Sequence, residues 1–360
     1  MTDTTPDLFW TASFWIGTAT LVATLLFLLL LFVLKIATQR RQQQAQAFEA
    51  AWQPWLLRVA LQGMSDAPRP ALQGQDAWRL IKLWVRLQMS LRGEANERLR
   101  LLGQTLGLDT VAQKLIHSRH RSEQIFGILT LGHMRNASDW HALENLLTQP
   151  SNSLAAYAGW ALLQISPQKA APLVLEQLVK RQDIDLLRAS SLFKPFRQYL
   201  HAPLAKLIGL AHAPAANVQP NDPRAWLLRI GYAIGLPLPG TDLRMLLARG
   251  QPMDVIIGAL RLLKNAEARD AVRELVTHPD WQVRTQVAIT LGRIGDASDV
   301  ERLTTLLTDT QWWVRYRAAQ SLASLPFMNH DDLKARMSHL SDRYANDIVK
   351  QVFAEMESQA

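Results

Sequence analysis

The chain has 360 residues, with 39 Lys and Arg against 31 Asp and Glu, a formal charge of +8, and no cysteine. The missing thiols exclude disulfides, thiolate metal sites and cysteine nucleophiles, and agree with a reducing compartment. The charge is uneven: residues 35–119 hold thirteen Lys and Arg against six Asp and Glu, a net +7, whereas residues 1–34 hold −2. A basic segment beside an anionic leaflet gains about 1 kcal/mol per cation, so lipid proximity explains the basicity without nucleic acid.

From Leu8 to Leu34 no residue is charged, and the run ends Leu25-Leu26-Phe27-Leu28-Leu29-Leu30-Leu31-Phe32-Val33-Leu34. Roughly 20 apolar residues in a helix span a hydrocarbon core of about 30 Å, so residues 13–35 are expected to form a single transmembrane helix. A cleaved signal peptide fits poorly. The charges ahead of the run are acidic (Asp3, Asp7), and Lys35, Arg40 and Arg41 follow where small residues would be needed. Cations stay on the cytoplasmic side, which places a short tail (1–12) outside and residues 36–360 in the cytoplasm. Trp10 and Trp15 suit the outer aromatic belt.

Residues 36–120 form a basic juxtamembrane region. Gln39 to Ala51 contains no Gly or Pro, so the membrane helix is free to run on into the cytoplasm. The segment from Gly63 to Pro70 then breaks the chain, and helices follow near 77–91, 94–103 and 110–118. In the first of these, Arg79, Lys82 and Arg86 fall at i, i+3 and i+7 with Ile81 and Trp84 opposite. That stripe fits either lipid headgroups or, by preference, an ordinary solvated face over a buried apolar one. Lys35, Arg40, Arg41, Arg79, Lys82 and Arg86 are therefore the candidate membrane-surface residues.

The strongest pattern is a repeat. Trp281-Gln282-Val283-Arg284 returns 31 residues later as Trp312-Trp313-Val314-Arg315, and Ala288, Leu291 and Ile294 return as Ala319, Leu322 and Leu325. Leu260, Leu263, Val272 and Leu275 precede Leu291, Ile294, Leu303 and Leu306 by the same step, and Leu131-Gly132 through Asp139 matches Leu291-Gly292 through Asp299. Each unit holds two helical apolar stripes around a Gly- or Asn-bearing turn, a hairpin that cannot bury its own face and so stacks on its neighbours. The expected fold is all-α: an α-solenoid of stacked helical hairpins behind one transmembrane helix.

A polar turn, Val-Arg, Ala, Leu-Gly and a Leu-Leu helix together resemble the short HEAT-like repeats of phycobilisome-lyase-related proteins. His278 to Gly292 matches well, whereas Ala323 stands where a second Gly is expected after Leu322. The resemblance implies HEAT-like repeats over 121–210 and 226–342, clearest at 121–182 and 251–342, with a C-terminal helix or tail at 343–360. Residues 211–225 are rich in Pro and read as a loop. The Arg of Val-Arg is read as structural, tying one repeat to the turn of its neighbour. Over residues 77–182 and the C-terminal repeats the chain also looks like bacterial HEAT-repeat membrane proteins associated with envelope polysaccharide glycosyltransferases.

No Gly-rich phosphate loop, nucleophile elbow or paired-His metal helix is present. His117 and His120 lack further ligands to complete a zinc set, and no cofactor is expected. Among the repeat aromatics, Trp281 and Trp312 hold equivalent positions and are expected to stack between hairpins. Trp313 replaces Gln282 of the preceding repeat, so its bulk is not demanded by the repeat. With Tyr316 and Arg317 it is the candidate protein-interaction site, since aromatic and Arg residues dominate interface hot spots. The expected function is a non-enzymatic scaffold at the cytoplasmic face of a bacterial inner membrane, binding a membrane or cytoplasmic protein client. The alternatives are a HEAT-like lyase and a glycosylase-like nucleic-acid binder; the latter would need a basic stripe along the solenoid.

Overall fold

The computed structural model describes residues 5–63, 68–72, 76–150, 153–181, 185–210, 222–236, 238–328, 332–333, 335 and 342–358. Among them the only regular structure is helical. In chain order the helices are α1 (Thr5–Gln62), α2 (Ala77–Ser90), α3 (Gly93–Thr105), α4 (Leu108–Leu115), α5 (Arg121–Met134), α6 (Trp140–Thr148), α7 (Ala155–Ile165), α8 (Pro167–Lys180) and α9 (Leu186–Phe193). They continue with α10 (Arg197–Leu210), α11 (Pro223–Ile234), α12 (Gly240–Arg244), α13 (Met253–Leu262), α14 (Arg269–Glu274), α15 (Trp281–Ile294), α16 (Val300–Leu307), α17 (Trp312–Ala323) and α18 (Arg343–Glu357). The chain divides into two compact units, 1–134 and 135–360.

In the first unit α1 has two characters along one uninterrupted helix. From Trp10 to Leu34 its large apolar side chains are exposed, Trp10 by 77% and Phe27 by 59%. Among the described residues it is the one helix long and apolar enough to cross a membrane. Further on, Phe48, Trp52, Leu56, Val59 and Ala60 recur at helical spacing and are buried against α2 and α3. The helix thus changes from a surface with no protein cover to a packed stripe within one helical run, which continues past Pro54 although that residue has no amide to donate. Trp84 anchors the unit: it is fully buried, and its indole N–H donates to the Leu99 carbonyl at 2.8 Å. Gly103 leaves room for its ring, since a Cβ there would stand 2.8 Å from it.

α5 packs on α4 and α2, which is why the units part after Met134 rather than at the 120/121 division read from the sequence. The basic stripe of α2 is largely engaged by protein. Arg79 pairs with Asp76 at 2.7 Å, Arg86 reaches Glu49 of α1 at 3.3 Å, and Lys82 lies over the Trp78 ring at 5.2 Å. Ile81 and Trp84 are buried on the other side. Lys35 and Arg40 are exposed on α1, whereas the Arg41 side chain lies outside the described residues.

The second unit is an α-solenoid. α9, α11, α13, α15, α17 and α18 pack side by side in that order, and their partners, such as α14 and α16, cover the other flank. A single 3₁₀ turn recurs in front of the second helices α6, α14 and α16, at Ala137–Asp139, Ala266–Ala268 and Ala297–Asp299. Two small polar residues 31 positions apart tie neighbouring first helices: Thr290 donates to the Leu260 carbonyl at 3.3 Å and Ser321 to the Ala288 carbonyl at 2.8 Å. The approach at Ser321 depends on Gly292, where a Cβ would fall 2.5 Å from the Ser321 hydroxyl oxygen and 3.0 Å from its Cα.

Of the two Val-Arg arginines, Arg284 ties its repeat to the next and Arg315 does not. Arg284 holds the next repeat's Asp309 through Nε at 2.6 Å and Nη2 at 2.9 Å, and donates from Nη1 to the carbonyls of His278 and Pro279. Arg315 instead binds carbonyls of its own turn, Asp309 and Thr310. One repeat earlier, where Met253 replaces the Arg, the tie comes from α14: Arg269 and Arg273 bind Asp296, and Arg273 also binds Asp299 at 2.7 Å.

The Pro-rich segment expected as a loop over 211–225 lies outside the described residues up to 221. Its end is shorter than expected, because Pro223 opens α11. Asp222 caps that helix, accepting from the Arg224 amide at 2.8 Å, and proline is favoured at a first helical position, where its missing N–H is not needed.

Candidate protein-interaction site

The first helices of the second unit present one continuous trough. Three depressions of about 500, 440 and 400 Å³ follow one another across α9–α13, α11–α17 and α15–α18. Arg229, Gly258 and Arg261 border both the first and second, and Ile289 and Arg317 border both the second and third. Large exposed apolar side chains line it from end to end: Leu187 at 80%, Tyr232 at 54%, Trp281 at 36%, Trp313 at 51% and Met356 at 39% exposed. An apolar row of this length on one side of a folded unit is the mark of a binding surface.

The predicted trio meets at the middle of this trough. Trp313 stands at the start of α17, its ring edge-on to Trp312 at 4.8 Å and to Tyr316 at 6.2 Å. Tyr316 stacks on Trp312 at 4.9 Å with the planes 11° apart. The Tyr316 hydroxyl donates to Glu355 of α18 at 2.7 Å and accepts from Gln320 at 2.9 Å. That bond to a carboxylate raises the Tyr316 phenol above its usual range and lowers Glu355. Arg317 donates to Gln320 at 2.8 Å and lies 5.8 Å over the Tyr316 ring. Of the three, Trp313 and Arg317 border the trough, while Tyr316 braces them from α17 to α18.

Trp281 and Trp312 correct the sequence reading. They are not sandwiched between hairpins, being 36% and 39% exposed. Both occupy the first turn of their helices, behind the caps Asp280 and Gln311, so they lie on the rim, and Val283 and Val314 two residues on take the buried position.

The sequence reading also missed a row of arginines. Arg229, Arg261, Arg293 and Arg317 come from α11, α13, α15 and α17 and line the same trough. None has a carboxylate within ion-pair distance among the described residues. Desolvation by the surrounding protein pulls the Arg293 guanidinium below its usual range, as expected of a cation without a counter-charge. Arg293 and Arg261 are held by neutral oxygens, the Leu260 carbonyl at 2.9 Å and the Gln286 side chain at 3.4 Å. The visible signal was the spacing of 32 residues between Arg229, Arg261 and Arg293. Net charge conceals it, because acidic residues such as Asp296, Asp299 and Asp309 lie in the turns between helices.

Residues 254–323 match a family model for HEAT repeats. The matched stretch runs from α13 to the end of α17 and so contains the centre of the trough, with Arg261, Trp281, Arg293, Trp313 and Arg317. HEAT repeats as a class mediate protein–protein interaction, by offering an extended surface built from equivalent helices. A comparison with curated proteins found no match. Among the described residues no group of three or more His, Asp or Glu is placed to hold a metal ion.

Proposed function

We propose that the chain is a non-enzymatic scaffold, anchored by the apolar half of α1 in a membrane, which holds a protein client in the trough of its HEAT repeats. The observation that carries this reading is the exposed aromatic cluster at Trp313, set in a trough that crosses six helices. Membrane anchoring is supported by the uncovered apolar surface of α1, and a cytoplasmic position for the repeats by Lys35 and Arg40 at its inner end. Lys35 and Arg40 then face anionic headgroups, with Arg79, Lys82 and Arg86 turned mainly to protein. A client among the membrane-bound glycosyltransferases of a bacterial envelope is the finer form of the proposal and rests on the sequence resemblance alone.

The test is capture of client from detergent-solubilised membranes by the full chain and by Trp313→Ala. An exposed anchor of this kind contributes about 2 kcal/mol or more to binding, and truncating it loses only edge contacts worth about 1 kcal/mol in the folded chain. Client recovery should fall at least about ten-fold while the melting temperature moves by a few degrees at most. Undiminished capture would remove Trp313 from the interface. A collapse of stability would return it to the core.

A further inference from the structure

We propose that the trough takes an acidic segment of its client, one that carries apolar side chains between its carboxylates. The proposal rests on the scaffold reading and adds the chemistry of what is bound. Four arginines face one channel from four neighbouring first helices, and none has a carboxylate of its own among the described residues. An arginine without a carboxylate partner retains donors in a planar fork suited to one.

Two acidic groups also border the trough, and neither neutralises the row. Glu355 is occupied by the Tyr316 hydroxyl and the Gln351 side chain. Asp254 stands in the first turn of α13, where the helix end itself favours a negative charge. The remaining surplus alternates with the apolar row that includes Tyr232 and Trp313. Phosphates would satisfy the arginines but would leave the aliphatic ends of the row, Leu187 and Met356, without a match. A peptide supplies both kinds of side chain.

The dimensions fit such a segment. Five steps between adjacent helices at about 8–10 Å each give a trough of roughly 40–50 Å. An extended strand of roughly 12–15 residues covers that distance at about 3.3 Å per residue.

The experiment uses the full chain in nanodiscs and fluorescent peptides of about 15 residues. The probe alternates Glu with Leu and Trp, one control has Lys in place of Glu, and another is single-stranded DNA of similar length. The Glu peptide should bind, weaken as salt is raised from roughly 50 to 500 mM, and lose at least about ten-fold in affinity in Arg229→Glu/Arg261→Glu. The neutral pair Arg229→Gln/Arg317→Gln provides a second reading should charge reversal disturb the fold, and should weaken binding in the same direction.

Absent binding of the Glu peptide, equal binding of the Lys peptide, or wild-type affinity in the folded variants would overturn the proposal. Tighter binding of DNA would assign the trough to nucleic acid. If Trp313→Ala abolishes client capture while the arginine variants keep full peptide affinity, the scaffold reading stands and the acidic occupant falls. If neither variant matters, both fall.

Discussion

At the scale of single residues, the repeats are joined by arginines that leave their own helix to hold a neighbour's acidic turn. Arg284 and Asp309 are both poorly exposed, at 14% and 9% of their side chains. Burial pushes the Asp309 carboxyl up, but hydrogen bonds from Arg284 and from the Gln311 amide outweigh it and hold the group below the usual carboxylate range. A carboxyl lowered on folding stabilises the fold fully above its unfolded pKa of about 3.9, and that contribution fades as pH falls through the lower folded value. Removing one partner leaves the other buried and unpaired, at a cost of about 3 kcal/mol. Arg284→Ala should therefore lower the melting temperature by several degrees at pH 7, and the gap from the parent should narrow below about pH 4. A gap independent of pH would show that the guanidinium acts only through the carbonyls of His278 and Pro279.

How far such residues were legible varied with what fixes them. The tie from Arg284 could be read because the repeat presents the same Val-Arg behind an acidic turn twice. The rim positions of Trp281 and Trp312 could not, since equivalence between repeats says that two residues share an environment without saying whether it is a core or an edge. The arginine row was hidden for another reason. Arg229, Arg261, Arg293 and Arg317 are dispersed in sequence and offset by acids such as Asp296 and Asp309, which the fold sends to the turns instead of the trough.

At the scale of elements, the close approach of α15 and α17 sets the geometry of the trough between them. The Gly after Leu291 was visible as part of the repeat, but its reason lies in a partner 29 positions away, Ser321, whose backbone would meet any added Cβ at 3.0 Å. Overpacking a site of this kind costs about 1–3 kcal/mol. Gly292→Ala should lower the melting temperature accordingly and weaken client capture, because moving α17 displaces Trp313 and Arg317 together. An unchanged melting curve would mean that the pair separates at little cost. Helix existence and repeat period were readable because apolar spacing encodes both. The start of α11 at Pro223 was not legible because proline, disfavoured in a helix interior, is well suited to its first position.

At the scale of the whole molecule, α1 joins a surface with no protein cover to a stripe that is part of a core. The sequence showed the apolar run and the uninterrupted polar segment after it. It did not show that Trp52 and Leu56, spaced like any amphipathic helix, are 1% and 0% exposed. Two truncations separate the roles. Deleting residues 1–40 should release a soluble protein with its helical signal and melting curve preserved. Deleting residues 1–62 removes the buried stripe as well, so it should unfold or aggregate the first unit; large buried side chains each contribute about 3–5 kcal/mol. Equal behaviour of the two fragments would contradict the packing of α1 on α2 and α3.

We propose that a client lies in the trough while the chain is held at a membrane. This is tested most directly by photo-crosslinking in intact cells, with a reactive side chain placed at Tyr232, at Trp313, or at Thr305, which is exposed on α16 away from the trough. The same discrete adduct from positions 232 and 313, recovered in the membrane fraction and absent from position 305, is the expected result. Adducts from position 305 alone, or equal labelling from all three, would contradict the account.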